Sequence, residues 1–275
     1  MTDYKKFVPN VHYELIPLKN LVSNQEYQRD LSEAYIRRAV ENFDLYQINP
    51  VKVSRRDGLN YVINGQHTIE IVARKSEARE TPVWCMIYDD LEYTHEADIF
   101  ANQQKYVKPL TPYDIFAANI EAGNEEQLTL KAIVESYNMR ISKTKCYGGI
   151  CAISALEYIY RTFGYAVLDQ TLKLCIATWE GEVNSFGANM LKGIAKLVVA
   201  YGDELDENIF KEKLGAYSIN KIVRSATERN NGSTGYAEAM LDCYNKRLKN
   251  PLHKSKLKSN KFINIPEYSV KSLYL

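Results

Sequence analysis

Along the first hundred residues, apolar positions alternate with polar ones in short runs, and beyond residue 110 they recur at helical spacing. Val11 to Leu18 reads as a strand ending in a proline-containing segment, and Ser32 stands where it can cap a helix whose Ile36, Ala39, Val40 and Phe43 share a face. After Asn49-Pro50, Val51-Lys52-Val53 and Leu59 to Ile63 flank Arg55-Arg56-Asp57-Gly58. Asp-Gly supplies the positive φ that a tight hairpin turn needs. Gly65 then falls at a strand-to-helix turn, with a helix over Thr68 to Lys75 and a further strand from Val83 to Tyr88. Thr111-Pro112 with Asp114 opens a helix, and Gly123 closes it. Later helices are predicted over Leu128 to Tyr137, Ile150 to Phe163, Val167 to Trp179, Asn189 to Ala200, Ile209 to Lys213, Ser218 to Arg229 and Gly235 to Lys249. The texture therefore changes from mixed α and β to all-helical near residue 110.

The chain has 275 residues, 45% of them hydrophobic, which is enough for one large domain or two ordinary ones. Its 35 basic and 34 acidic side chains exclude a globally basic nucleic-acid binder. The charge is uneven, however: residues 1–245 sum to −6 and residues 246–275 to +7. No apolar run approaches a membrane span of roughly 18 to 20 residues, and the first residues lack a secretory signal's apolar stretch, so a cytoplasmic protein without a membrane partner is expected. Cys85, Cys146, Cys151, Cys175 and Cys243 contain no C-x-x-C pair and read as structural or incidental thiols.

Candidate chemistry concentrates at Asn64-Gly65-Gln66-His67-Thr68. A small polar turn opening a helix offers backbone N–H groups, the positive end of a helix dipole and a titratable imidazole to an anion such as phosphate. A bland structural turn has the same composition, and His67 taken alone is a base, a ligand or a surface residue. Residues 127–145, with Leu130, Ile133, Val134, Met139 and Ile141, fit a helix-turn-helix whose recognition helix would begin near Ser142. Arg140, Lys143 and Lys145 would then be its DNA contacts, against a reading of ordinary helix packing. For metal-dependent cleavage, His67, Glu70, Asp89, Asp90, His95, Glu96 and Asp98 are available, but surface carboxylates account for most of them because none has a ligand spacing. The 21 tyrosines mostly fall within helical apolar patterns, which favours core use over base stacking.

Several of these pieces, in order, resemble the ParB-like N-terminal domain, also called the ParB/sulfiredoxin fold. They are Ile16-Pro17-Leu18 with Leu21-Val22; Tyr27-Gln28-Arg29 before the capped helix; Ile48 to Val53; Tyr61 to Glu70; Phe100-Ala101-Asn102-Gln103-Gln104-Lys105; and Leu110 to Asp114. The resemblance covers roughly residues 12 to 120. With the helical texture after residue 110 and the basic C-terminal end, the expectation is an α+β protein: a ParB/sulfiredoxin-like domain over 1–120, as the resemblance implies, an all-α helical domain over 121–249, and a basic flexible tail over 250–275. The resemblance also implies nucleotide or DNA handling, since partition proteins of this family bind CTP and slide on DNA, while other members are nucleases or ATPases. In nucleotide-binding members an arginine follows the glycine turn and a second ends the asparagine box. Here Thr68 keeps a hydroxyl there, and Lys105 keeps the charge without the bidentate fork. The reactive cysteine of the sulfiredoxin branch is replaced by Gln66.

The expectation is thus a DNA-associated protein of a prophage, plasmid or other mobile element. Gly65, Gln66, His67, Thr68, Asn102 and Lys105 would hold a nucleotide phosphate, with Mg²⁺ and CTP or ATP as cofactors. DNA would meet Arg140, Lys143, Lys145, Lys254, Lys256 and Lys258, and a homo-oligomer is compatible with the family. The alternatives are a nuclease or nucleoside triphosphatase using His67 and Glu70, and a protein-interaction scaffold with a vestigial pocket.

Overall fold

Asp57 and Gly58 sit at φ 53° and 75°, the pair of left-handed residues that a two-residue hairpin turn matched to strand twist requires. The strands they join, Val51–Arg56 and Leu59–Asn64, lie within a five-stranded sheet. In this computed structural model, residues 8–23, 28, 30–89, 91–103, 105, 107–229 and 232–258 are described. The chain divides into two compact units, Met1–Pro109 and Leu110–Leu275.

The first unit runs β1 (Val11–Pro17), β2 (Leu21–Ser23), α1 (Glu33–Glu41), β3 (Val51–Arg56), β4 (Leu59–Asn64), α2 (Gln66–Ser76), β5 (Pro82–Tyr88) and α3 (Tyr93–Asn102). Sheet order is β1-β5-β3-β4-β2. The β1/β5 and β3/β4 pairs are antiparallel, whereas β3/β5 and β2/β4 are parallel. Parallel neighbours need a crossover, and the segment from β4 to β5 supplies one through α2. The period-2 burial of Val83, Cys85 and Ile87 turns one face of β5 inward. Ile69, Val72 and Ala73 of α2 share the resulting core with Val51, Val53 and Val62.

Charged side chains complete this unit. Arg74 sends both arms of its fork to Glu33, at 2.7 Å each, tying α2 to α1. Arg55 grips Glu14 in the same bidentate way at 2.9 and 2.6 Å and draws that carboxyl down to a pKa of about 2. Ser32 is the N-cap residue of α1, but its side chain makes no capping bond. Its backbone N–H instead donates to a side chain of α2, His67.

The second unit consists of α4 (Pro112–Glu121), α5 (Glu125–Ser136), β6 (Arg140–Ile141), β7 (Gly149–Ile150), α6 (Ile153–Phe163), α7 (Tyr165–Trp179), α8 (Ala188–Tyr201), α9 (Glu207–Gly215), α10 (Ile219–Arg229), α11 (Ser233–Asn245) and α12 (Lys254–Lys258). A full capping box opens α4, with Thr111 and Asp114 each bonding the other's backbone N–H. The helices enclose one core that includes Leu130, Ile159, Leu172, Ile194, Phe210 and Leu241.

The helix-turn-helix expectation is overturned. After α5 the chain passes through Asn138 at φ 55° into β6, which pairs with β7 in parallel register, and Ser142 lies in the connecting loop rather than opening a recognition helix. The apolar period of α5 was legible, but Gly148 at φ 67° and the buried Gly149 leave no room for a second helix to propagate. Of the stretch expected as a free tail, residues 251–258 are docked. Asn245 exchanges hydrogen bonds with both backbone groups of Leu252 at 2.8 Å, Tyr201 Oη donates to His253 O at 3.0 Å, and Leu252 and Leu257 pack on the core. Tyr27, Arg29, Asp90, Gln104 and the tail beyond Lys258, including Lys261, lie outside the described residues.

Candidate functional site

The glycine turn has the form the sequence implies. Gly65, at φ 115° and ψ 12°, is the left-handed N-cap of α2, and its carbonyl accepts the Ile69 N–H at 2.9 Å. The amides of Gln66, His67 and Thr68 therefore form the first turn of α2, at the positive end of its dipole. The glycine is demanded from inside the fold as well: a β-carbon here would stand 3.1 to 3.3 Å from Val51 on β3. A substitution at Gly65 thus perturbs sheet-to-helix packing before it perturbs any ligand.

His67 Nε2 accepts a hydrogen bond from the Ser32 backbone N–H at 3.2 Å, and the Tyr35 ring meets the imidazole edge-on with centroids 5.4 Å apart. The imidazole joins the starts of α1 and α2. Accepting at Nε2 requires a lone pair there, so a proton or a metal on that atom would break the contact. Glu70, one turn further along α2, engages other partners: Oε1 accepts from Arg74 at 2.9 Å and Oε2 from Arg79 at 2.7 Å. Burial raises its pKa, but the bonds from these two arginines outweigh burial and hold it below the ordinary range. The pair expected to share a catalytic role is engaged with different elements of the fold.

Asn102 ends α3 with its amide turned back onto Asp98, at 3.1 Å to the carbonyl and 2.9 Å to the carboxylate. Lys105 N–H then donates to Asn102 O at 2.9 Å, and the Lys105 side chain is exposed. Glu96, one of the seven candidate metal ligands of which most read as surface groups, is fully buried and accepts from Arg56 Nε at 2.7 Å. The guanidinium lies 4.1 Å from the Tyr61 ring centroid and 5.8 Å from that of Tyr93. This cation, held between two rings and a buried carboxylate, fastens α3 to the sheet. Sequence reasoning missed it because the partners are forty positions apart and neither carries a motif.

Asp89 pairs with His12 at 3.0 Å, and Asp98 is engaged by Asn102. Among the described residues, no three His, Cys, Asp or Glu side chains gather to hold a metal ion, and no helix is long and apolar enough to cross a membrane. A cleft of about 460 Å³ lies between α1 and α2, lined by Glu33, Ala34, Arg37, Val40, Glu41 and Arg74. A second cleft of about 280 Å³ in the second unit is bordered by Lys145, Gly149, Cys151 and Asn184. Neither cleft includes the glycine turn, Asn102 or Lys105.

The expected DNA contacts are distributed differently from a reading head. Arg140 lies in β6 and donates to Cys146 Sγ at 3.3 Å, while Lys143 pairs with Asp114 at 2.8 Å. Lys254 pairs with Asp242 and Lys256 with Glu204, each at 2.5 Å. These three lysine pairs are partly solvated and so contribute little to stability, which lets phosphate compete for the lysines.

A small mixed sheet crossed by a glycine-turned helix, followed by a helical unit, defines a two-unit α+β protein. A model of the family of unknown function DUF6551 matches residues 22–255, and the chain belongs to that family. No curated protein matches it. Among solved structures, the chain is similar to the C-terminally truncated chromosome-partitioning protein ParB from Caulobacter crescentus. Against the form complexed with CTP-gamma-S, identity is 12% and the TM-score 0.36, covering 83% of this chain and 99% of that one. Against the form complexed to the centromeric parS site the values are 10%, 0.26, 82% and 97%. At these TM-scores the two structures fix neither the ligand nor the partner of this chain.

Proposed function

We propose that this is a ParB-like, DNA-associated protein whose first unit binds the phosphate of a nucleoside triphosphate at the start of α2. The carrying observation is the turn from β4 through left-handed Gly65 into α2, which gathers the amides of Gln66, His67 and Thr68 at a helix N-terminus. The sequence order of the surrounding pieces supports the same reading. Thr68 would add a hydroxyl donor, Asn102 an orienting amide and Lys105 a counter-charge. Mg²⁺ would enter with the triphosphate. Binding is favoured over hydrolysis because His67 Nε2 and both carboxylate oxygens of Glu70 already serve contacts within the fold.

Calorimetric titration with CTP, ATP and GTP, with and without Mg²⁺, tests this. Thr68→Glu, which places a negative charge where phosphate would sit, should abolish binding, and Lys105→Ala should weaken it by about 1 to 3 kcal/mol for a charge-assisted contact. Absence of binding by the parent at millimolar nucleotide, or affinity unchanged from the parent in both variants, would reject the pocket in favour of the scaffold reading. The proposed DNA role rests on the charge of +7 beyond residue 245 against −6 before it and is tested separately below.

A further inference from the structure

The loop joining β6 to β7 carries an arrangement that the glycine turn does not use. Cys146 Sγ lies 3.3 Å from Arg140 Nη2 and 3.4 Å from Ser142 Oγ. The sulfur packs over Gly149 so closely that a β-carbon there would be 2.3 Å away. Residues 149 and 151 emerge on the same side of an extended chain, so Cys151 follows on the face that Cys146 covers. Burial first, and the charge of a Cys146 thiolate after it, raise the Cys151 pKa, so the two thiols are close enough to feel each other's charge. Neither thiol is fully buried, and Cys151 borders the 280 Å³ cleft together with Lys145 and Asn184.

From this geometry we propose that Cys146 is a hydroperoxide-reactive thiol and that Cys151 resolves it into a Cys146–Cys151 disulfide. The Cys146 thiol first gives its proton to solvent. The thiolate attacks one peroxide oxygen, an S–O bond forms as the O–O bond breaks, and the departing oxygen takes a proton to leave as water or an alcohol. The Cys151 thiolate then attacks Cys146 Sγ, the S–S bond forms, the S–O bond breaks, and hydroxide leaves as water with the proton Cys151 released. The two thiols supply the two electrons that reduce one peroxide.

Each neighbour has a role in this sequence. Arg140 holds its cation against the thiolate and the departing oxygen. Ser142 Oγ donates to Thr144 O at 2.7 Å, and on ionisation of Cys146 the hydroxyl can turn to the sulfur instead. The hydrogen bond from Ser142 and the charge of Arg140 lower the Cys146 pKa against the effect of burial, whereas burial raises that of Cys151. Cys85, Cys175 and Cys243, all raised by burial, are controls within the same chain.

The test uses the full, reduced chain treated with one equivalent of hydrogen peroxide, then alkylated and digested with trypsin. Cleavage after Lys145 and Arg161 puts both cysteines in one peptide, which should lose two hydrogen atoms and resist alkylation while the Cys243 peptide remains reduced. In Cys151→Ser, Cys146 should persist as a sulfenic acid trapped by dimedone, and in Cys146→Ser, Cys151 should stay reduced. Arg140→Ala, a change at a positioning residue, should slow oxidation about tenfold and move the pH profile of Cys146 alkylation upward, with partial recovery in Arg140→Lys. Oxidation of Cys243 as fast as Cys146, oxidation of Cys151 in the Cys146→Ser protein, or no dimedone adduct in Cys151→Ser would each overturn the proposal.

Discussion

Gly65→Ala isolates the reason for the glycine at the start of α2. Two unfavourable effects add. A left-handed backbone costs an L-residue about 1 to 2 kcal/mol, and Gly65 is at φ 115°. The new β-carbon would also stand 3.1 Å from one Val51 methyl, 3.2 Å from the other and 3.3 Å from the Val51 α-carbon. Val51 is fully buried, so its methyls cannot swing into solvent, and crowding of this kind costs about 1 to 3 kcal/mol. Gly65→Ala should therefore destabilise the first unit by about 2 to 5 kcal/mol. Val51→Ala alone leaves a small void and costs about 1 to 3 kcal/mol, but it removes the two methyls that the alanine meets. The double variant should then be more stable than the sum of the single effects by about 1 to 2 kcal/mol, while the backbone contribution persists. Urea titration followed by circular dichroism measures the cycle, and hydrogen exchange of peptides spanning residues 59–76 assigns the loss to this unit. A Gly65→Ala protein within about 0.5 kcal/mol of the parent, or a strictly additive cycle, would refute the packing argument. Either result would return the glycine to a ligand-only role.

Three further outcomes follow from the charged contacts. Glu96→Gln should cost about 1 to 3 kcal/mol in urea titrations, below the usual value for breaking a buried pair because Arg56 is 27% exposed; no loss would mean that ring packing alone holds α3. The Glu14 carboxyl is depressed from 4.5 to about 2 by the Arg55 hydrogen bond, so its contribution is complete above pH 4.5 and is lost as pH falls towards 2. Arg55→Ala should flatten that acid limb in a pH series of thermal transitions, and an unchanged limb would remove the pair from the account. If all seven cations from Lys246 to Lys261 met phosphates, log affinity for duplex DNA would fall with log salt at a slope of about −6, and changing Lys254, Lys256 and Lys258 to Gln should make it shallower by about 2 to 3. Neutralisation is a cleaner perturbation than deletion because Leu252 and Leu257 pack on the core, and an unchanged slope would place DNA contacts elsewhere or remove DNA altogether.

Features set by neighbours in the chain were legible in the sequence. The Asp57-Gly58 hairpin, the Thr111–Asp114 capping box, the glycine turn at Gly65 and the helices after residue 110 each depend on φ preferences, caps or apolar periods within a few positions. The same local reasoning failed at residues 137–150. There an apolar period described α5 correctly, but the following backbone is governed by the pairing of β6 with β7 rather than by a helix period. What a side chain does was decided by the tertiary structure. His67 and Glu70 are near neighbours in the chain, yet one accepts a backbone N–H from α1 and the other two guanidinium groups. Glu96 became a buried partner of Arg56 only when α3 closed on the sheet. Cys146, which belongs to no cysteine motif, meets Arg140 and Ser142 only because the chain returns through Gly149 beneath its sulfur. Backbone conformation is a short-range property, whereas desolvation and charge pairing depend on which distant groups exclude water from one another, and only the folded chain brings those groups together.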